Sequence, residues 1–431
     1  MPIPDHFTPL APFRILTRTA ASLSELPNLD VVIRQNLTGL GLPPERLSGR
    51  RIAVTAGSRG IASLKEIVRA VCQWLRDQGA QPFVIPAMGS HGGATAEGQR
   101  RILEEYGICQ DAVGAEILSS METVCLGETQ NGFRAFMDRC AWEADGVLVM
   151  NRVKPHTDFT GKIESGRLKM IAVGLGKRQG AEEVHRWARK YGYETVIREV
   201  SERILASGKI LGGLAVVENE THRICQVRAA RPEELVAQEE ETLALARQLV
   251  PRLPFSRVQL LVVDEMGKNI SGTGMDTKII GRGVELPAGE APAINLIYVR
   301  DLTPESGGNA VGMGNADLVH EHFYRKVDLQ RTYINAQTSL KPGSVRLPMY
   351  LPSDQAALNF ALRSLGSPGP EEQRVAWIHN TLDLSRIAIS ESLASEAANL
   401  PRWQLSPETF QPCFDAEGNF ATEPLHNGGC S

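Results

Sequence analysis

The sequence predicts an α/β fold of two domains, each with a mainly parallel sheet flanked by helices, and an active site in the cleft between the domains. Three observations predict this fold: a length of 431 residues, a repeated strand–loop–helix order, and a restart of that order after Pro251. A chain of this length exceeds one ordinary core, so at least two domains are expected. We place the domains at 1–252 and 253–405, followed by an irregular tail over 406–431.

The first domain repeats a strand, a polar loop and a helix. Short apolar runs predict the strands, and the 3.6-residue period of apolar side chains predicts the helices. Ser63 begins a helix, since Glu66 three residues later suggests a capping box, and Gly79 suits the end of that helix. Helices between parallel strands should cross over right-handed. The predicted elements are strands over 51–55, 82–86, 146–150 and 211–217, a helix from Ser63 and a helix over 95–106.

The second domain shows the same order of elements. A strongly apolar strand over 258–264 is followed by a glycine-rich loop over 267–276. Repetition of this order in both halves predicts largely parallel sheets. The other predicted elements are strands over 293–299 and 374–378 and a helix over 353–365.

Composition and charge narrow the class of protein. Hydrophobic residues make up 42 % of the chain, charged residues 22 %, and the net charge is −4, which is an ordinary globular profile. The mild acidity argues against a nucleic-acid partner, which would favour a basic face. No apolar run reaches the roughly 18 residues of a membrane span, so no membrane partner is expected. The seven cysteines are scattered and never form CxxC, which fits free thiols in a cytoplasmic protein.

Three polar loops follow predicted strands of the first domain, at 57–60, 89–93 and 151–166. Ligands bind beyond the carboxyl ends of parallel strands, so we expect these loops to share one site. Their glycines allow a ligand to approach the backbone, and their basic side chains suit phosphate or carboxylate. Two of the loops carry a histidine, His91 and His156. A lone histidine is more often structural, but two at equivalent positions favour a shared role.

The segment 151–185 is rich in cations and glycines and is poorly suited to a buried core. His185 lies in a predicted helix, where an imidazole serves either as a core residue or as a metal ligand. Lys169 precedes the glycines of this segment and, taken alone, would be a solvated lysine. His320 and His322 form an HxH pair, but the amphipathic stretch around them favours a structural role.

Three strings, GSHGGATAEGQ, NRVKPHTDFTGKIESGRLKMIAVGLGK and GAEEVH, resemble the nickel-dependent lactate racemase family. The resemblance covers about residues 50–285 and implies a racemase or epimerase of a 2-hydroxy acid or sugar acid. It implies a nickel-pincer nucleotide (nickel pyridinium-3,5-bisthiocarboxylic acid mononucleotide) joined covalently to Lys169, with His185 as the nickel ligand. His91 and His156 take the places of the two acid/base histidines. Cofactor-synthesis proteins are then expected partners, and the oligomeric state stays open.

The resemblance and the basic loops together suggest further binding residues. The loop Gly272–Asp276 resembles the second-domain loop that closes on the substrate in this family. Contacts to the cofactor are expected from Ser58, Arg59, Lys154, Gly166, Arg167 and Lys177. Contacts to the substrate are expected from Lys268, Asp276, Lys278 and Arg282.

The chain departs from the family pattern mainly at the residues that handle substrate. The first loop reads Ala56-Gly-Ser-Arg59-Gly60 where the family has Asp-x-x-Arg-Pro, and the first histidine loop reads Ser-His-Gly-Gly where the racemase has His-Arg-Pro. The stretch between His156 and Lys169 is about three residues longer. The Tyr-Gln pair and the lysine that hold lactate have no clear match. We therefore expect a 2-hydroxy acid that is not necessarily lactate.

The implied mechanism accounts for two histidines. A hydride acceptor avoids a carbanion at the inverted carbon, and that chemistry belongs to the cofactor. Two bases on opposite faces then move the hydroxyl proton, a task that suits imidazole near neutral pH. Three alternatives remain: a nickel-nucleotide-binding protein without racemase activity, a metal hydrolase that holds zinc through His91, His156 and His185, and a non-enzymatic anion-binding protein.

Overall fold

The computed structural model divides the chain into two compact units. One is Leu23–Val250, called the first unit below, and the other combines Met1–Ser22 with Pro251–Ser431, called the second unit. The structure describes residues 9–57, 60–284, 291–339, 341–422 and 424–425.

The N-terminal strand corrects the predicted first domain, which began at residue 1. Strand β1 (Phe13–Arg18) belongs to the sheet of the second unit. Phe13 pairs with Ser390 on one side and with Phe410 on the other, and its side chain is buried. The strand over Trp403–Phe410 also crosses the predicted start of the tail at residue 406. A six-residue strand does not reveal a partner nearly 400 residues away, so the sequence reading missed both pairings.

The first unit is built on a twisted parallel sheet with the strand order β4-β3-β2-β7-β8-β9. Among the described residues only β9 runs antiparallel to its neighbour in this sheet, and β5 and β6 form a separate hairpin. The strands are β2 (Arg51–Ala56), β3 (Gln81–Pro86), β4 (Glu116–Ile117), β5 (Thr123–Glu128), β6 (Arg134–Asp138), β7 (Gly146–Arg152), β8 (Ile210–Glu218) and β9 (Ile224–Ala230).

Helices cover this sheet, and their ends show which predicted signals operate. Ser63 lies in the left-handed region at φ 52° and its side chain makes no capping hydrogen bond, so the predicted capping box is wrong. Gly79, at φ 80°, ends the same helix as predicted, because glycine tolerates this conformation. The helices are α1 (Leu29–Thr38), α2 (Leu64–Asp77), α3 (Ala96–Glu105), α4 (Gln110–Val113), α5 (Arg139–Glu143), α6 (Arg167–Lys169), α7 (Lys177–Tyr191), α8 (Tyr193–Leu205) and α9 (Leu235–Leu249).

The second unit has a larger mixed sheet with the strand order β13-β12-β11-β10-β14-β15-β1-β16. Strands β10 to β14 run parallel, and β15, β1 and β16 add an antiparallel edge. The strands are β10 (Arg257–Met266), β11 (Ala293–Leu302), β12 (Leu318–His320), β13 (Met349–Leu351), β14 (Val375–Ile378), β15 (Arg386–Ser390) and β16 (Trp403–Phe410). The helices are α10 (Thr277–Ile280), α11 (Glu321–Lys326), α12 (Leu329–Ser339), α13 (Asp354–Ser364) and α14 (Ala394–Ala397).

Both units therefore confirm the predicted α/β class, with mainly parallel sheets flanked by helices. In each sheet the strand order reverses beside the first parallel strand, between β2 and β7 in the first unit and between β10 and β14 in the second. Such reversals open a crevice at the carboxyl ends of the strands. In the part of the chain that the structure describes, no helix is long and apolar enough to span a membrane.

His379, directly after β14, is expected to make the stability of the second unit depend on pH. Its imidazole lies 3.8 Å from Asp264 Oδ2 and 3.2 Å from Glu265 Oε1, and these carboxylates raise the His379 pKa from 6.5 to about 10. The interaction of protonated His379 with these two carboxylates contributes fully to the free energy of unfolding below pH 6.5. This contribution is lost as the pH rises through about 10, where His379 loses its proton. The His379→Gln variant should show a smaller decline of unfolding free energy over that range, measured by urea unfolding at stepped pH. The control is His322→Gln, at an exposed histidine, which should decline in unfolding free energy as the native protein does. The same decline in His379→Gln as in this control would contradict the assignment.

Candidate active site

The crevice between β2 and β7 gathers the three loops singled out in the sequence. Gly57 follows β2 at a point where an added Cβ would lie 3.2 Å from Met170 Cε and 3.7 Å from Asn151 Oδ1. The Gly89 N–H approaches the carbonyl oxygen of Gly174 at 3.4 Å, which brings the loop after β3 to the same place. The loops after β2, β3 and β7 thus meet around residues 169–174.

A π-turn over Met170–Gly174 forms the centre of this meeting point. The Leu175 N–H donates to the Met170 carbonyl oxygen at 2.8 Å, which is the wider spacing of a π-turn. Gly174 is required here because a Cβ would lie 2.8 Å from the Ala87 carbonyl oxygen. Single π-turns between α-helical segments frequently mark functional sites. Lys169 is the last residue before this turn.

Lys169 and His156 meet in the crevice. The distance from Lys169 Nζ to His156 Nε2 is 2.5 Å. The other ring nitrogen, Nδ1, accepts a hydrogen bond from the Asp158 N–H at 3.0 Å. Because Nδ1 is engaged by the backbone, Nε2 is the nitrogen that His156 directs toward Lys169.

Backbone hydrogen bonds close the loop that carries His156, and the carboxylate of Glu164 binds the loop backbone. Paired backbone hydrogen bonds between Lys154 and Ser165, at 3.0 and 3.2 Å, close the loop. The carboxylate of Glu164, whose residue is 1 % exposed, accepts from the His156 N–H and from Arg247 Nη2, both at 2.5 Å. No role was predicted for Glu164, although an acid within a basic loop was a usable signal. Lys154 stays a predicted cofactor contact.

His185, the predicted metal ligand, lies in α7 of the first unit. Its Nδ1 is 3.1 Å from the Tyr193 hydroxyl, which leaves Nε2 as the other ring nitrogen. The side chain reaches the surface, yet the surrounding protein removes enough water to lower its pKa. Positive charge at Lys169 lowers that pKa further, and Asp158 opposes the effect. A lowered pKa favours the neutral imidazole that a metal requires.

His91 follows β3, and a buried polar chain fixes its loop. Gln99 Nε2 donates to the carbonyl oxygens of Gly89 and His91, at 3.0 and 3.3 Å. Lys177 Nζ donates to Gln99 Oε1 at 3.2 Å and lies 2.9 Å from Asp138 Oδ2. Both side chains of that ion pair are fully buried. The prediction of Lys177 as a cofactor contact is therefore wrong: this cation supports the His91 loop from inside the unit.

The prediction that Arg167 contacts the cofactor is also corrected, because its side chain is buried in an ion pair. Its Nε lies 2.8 Å from Glu239 Oε2, and both side chains are almost fully buried. Gln238 accepts a second hydrogen bond from Arg167, at 2.8 Å. Gly166 is a glycine because a Cβ there would collide with the Glu239 carboxylate. Arg167 and Gly166 thus anchor α6 to α9.

Two predicted cofactor contacts, Ser58 and Arg59, lie outside the described residues. The chain after them is anchored, since the Ala62 N–H donates to Glu218 Oε1 at 2.8 Å. Glu218 also pairs with Arg152, at the end of β7. This contact ties the loop after β2 to both β7 and β8.

The substrate residues predicted in the second unit differ in their surroundings. The prediction that Arg282 contacts the substrate is corrected. Its guanidinium donates to Asp317 at 2.6 Å and to three backbone carbonyl oxygens. Asp276 caps α10 through the Lys278 N–H at 2.9 Å. Lys268 Nζ donates to Gly272 and to Asn335, at 2.6 and 2.9 Å. Lys268, Asp276 and Lys278 stay predictions.

The structure also reveals residues for which no role was predicted. Gln99 and Tyr193 contact a predicted site residue through hydrogen bonds; Gln99 ends the string GSHGGATAEGQ but was given no role, and Tyr193 lies outside the three quoted strings. Within the described ranges, no three histidine, cysteine, aspartate or glutamate side chains gather closely enough to hold a metal ion.

Two solved structures resemble this chain at 15 % sequence identity. The lactate racemase apoprotein from Thermoanaerobacterium thermosaccharolyticum aligns over 86 % of this chain and 89 % of its own, with a TM-score of 0.46. A protein from Thermotoga maritima aligns over 64 % of this chain and 72 % of its own, with a TM-score of 0.48. The comparison with curated proteins found no match.

The family model described as the lactate racemase N-terminal domain matches residues 50–194. The matched segment runs from β2 into α8 and includes all three loops of the crevice. Over residues 50–194 the chain is therefore similar to the lactate racemase N-terminal domain.

Proposed function

We propose that this chain is a racemase or epimerase of a 2-hydroxy acid, not necessarily lactate, and that it works through a nickel-pincer nucleotide tethered to Lys169. The observation that carries the proposal is the 2.5 Å contact between Lys169 Nζ and His156 Nε2 at the reversal of strand order. An amine and an imidazole at one point can supply a covalent tether and a proton carrier. The family match over the same segment supports this reading.

The residues present fit such a cofactor. A pincer nucleotide brings its own sulfur and carbon donors, so a single protein imidazole, that of His185, would be enough to complete the ligand set of the nickel. Gly60 and Gly93 border open space in two neighbouring loops, because a Cβ at either would meet no described heavy atom within 4 Å. When bound, the cofactor supplies a hydride acceptor.

The protein's own part is to hold the substrate and move its hydroxyl proton. His156 Nε2 is the atom placed to accept this proton, because Nδ1 is engaged by Asp158. With the cofactor attached, Lys169 Nζ would be an amide nitrogen without positive charge, and His156 Nε2 would then face the substrate. His91 is the second base, held by Gln99 and the buried Lys177 behind it.

The test is to produce the protein together with cofactor-synthesis proteins. We expect a mass adduct on Lys169, bound nickel, and loss of optical purity in at least one member of a panel of chiral 2-hydroxy acids and aldonic acids. Lys169→Arg should abolish the adduct. Lys162 is exposed in the closed loop that carries His156. It provides the matched control Lys162→Arg, in which the adduct on Lys169 should remain. A His91→Ala variant separates turnover by this protein from turnover by a contaminant.

Other results would assign the alternatives. An unmodified Lys169 under these conditions would overturn the cofactor assignment. Bound zinc without an adduct would indicate a histidine-ligated metal hydrolase. An adduct without turnover on any panel member would indicate a nickel-nucleotide-binding protein without racemase activity.

A further inference from the structure

The two predicted functional histidines of the 151–185 segment and two rings between them form a continuous column of four rings. His156 stacks on Phe159 with ring centroids 4.5 Å apart, and Phe159 stacks on Tyr193 at 4.7 Å with an interplanar angle of 14°. Tyr193 meets His185 edge-on at 5.7 Å. We call these four residues the aromatic column.

The aromatic column is fixed to the protein at its middle. Phe159 and Tyr193 are partly buried and pack against the hydrophobic cluster that includes Val184 and Ile197. Tyr193 begins α8 directly after Gly192, whose φ of 79° turns the chain out of α7. The column therefore joins the closed loop of His156 to the helix pair that carries His185.

Tyr193 makes the directional contact in this column. Its hydroxyl lies 3.1 Å from His185 Nδ1, so Nδ1 is engaged and Nε2 is left as the nitrogen open to a ligand. A hydrogen bond to the far nitrogen of a metal-binding histidine fixes its tautomer and its ring orientation.

We infer that Tyr193 and Phe159 are positioning residues that hold His185 in one tautomer and hold His185 and His156 in one fixed arrangement. Tyr193 acts on His185 through its hydroxyl, and Phe159 acts as the rigid spacer that couples Tyr193 to His156. This inference rests on the proposed function for its purpose, but its physical content concerns the protein without cofactor.

The test uses the metal-free full chain with 15N-labelled histidine, at a pH where imidazole is neutral. In the native protein, long-range 1H–15N correlations of His185 should show one dominant tautomer. Tyr193→Phe keeps the ring and removes the hydroxyl, so His185 should become a mixture of tautomers. Tyr191→Phe is the matched control, because Tyr191 loses the same hydroxyl but contacts Phe133 and Trp187. It should leave His185 unchanged.

A second substitution tests the spacer. Phe159→Leu should disturb the His185 resonances, although Phe159 does not touch that ring, and Phe159→Tyr should preserve them. In cofactor-loaded protein, Tyr193→Phe should weaken nickel retention against a chelator by about 10- to 100-fold. The inference is overturned if His185 has the same tautomer mixture in the native and Tyr193→Phe proteins, or if Phe159→Leu leaves its resonances unmoved. These resonance measurements need no cofactor, so their outcome is distinguishable from failure of the proposed function.

Discussion

Replacement of His156 by glutamine is expected to lower racemase turnover by about 10²- to 10⁴-fold, the usual contribution of a general acid or base. Glutamine cannot carry the hydroxyl proton at the position of Nε2. The loop should persist, because Glu164 binds the backbone N–H of residue 156 and not its side chain. The Lys169 adduct should therefore remain. Initial rates and intact mass on the same preparation measure both outcomes.

The control for this prediction is His322→Gln. His322 is an exposed histidine of the second unit, so its replacement should change neither turnover nor adduct. Retention of near-native turnover in His156→Gln would remove His156 from the proton-transfer role. Loss of the adduct in that variant would instead indicate that His156 acts in attachment of the cofactor.

Replacement of Glu239 by alanine is expected to lower the free energy of unfolding by about 3–5 kcal/mol, the usual effect of breaking a buried ion pair. Arg167 and Glu239 are almost fully buried, so removal of the carboxylate leaves the Arg167 charge without its counterion. The Leu168 N–H, 3.1 Å from Glu239 Oε1, also loses its acceptor. Urea unfolding followed by circular dichroism measures the change.

Glu241 offers the matched control on the same helix. It pairs with Arg228 at 3.4 Å, but its side chain is 72 % exposed, so Glu241→Ala should change stability by less than about 1 kcal/mol. The double variant Arg167→Met/Glu239→Leu should regain much of the loss, because apolar replacement of both partners leaves no buried charge. Equal effects of Glu239→Ala and Glu241→Ala would contradict the assignment of a buried pair.

The sequence predicted local structure well where the chain follows its own periodicity. Every predicted strand of the first unit was found, for example 146–150 within β7 (Gly146–Arg152), because a short continuous apolar run is typical of a strand buried on both faces of a parallel sheet. The π-turn over Met170–Gly174 was not predicted. It depends on close packing against Ala87 from another loop, which no local pattern records.

The candidate site was predicted in part for a similar reason. The resemblance to a family named Lys169 and His156, and the structure brings them into contact. Arg167 and Lys177 were predicted to contact the cofactor because of their positive charge. Both are cations in a polar segment, yet each pairs with a carboxylate distant in sequence, Glu239 or Asp138, and both are buried.

The pairing of β1 with β16 has a consequence for the order of folding during synthesis. Phe13 and Phe410 are neighbours in one sheet, so this sheet cannot be completed until residue 410 has left the ribosome. The first unit, Leu23–Val250, is continuous in sequence and can finish earlier, as domains made first generally do. The entropy of closing so long a loop grows only slowly with its length, so the late pairing slows folding more than it lowers stability. In the interval β1, which carries the buried Phe13 and Leu16, lacks both of its neighbours, β15 and β16, and this nascent state is where we expect the chain to depend most on chaperones.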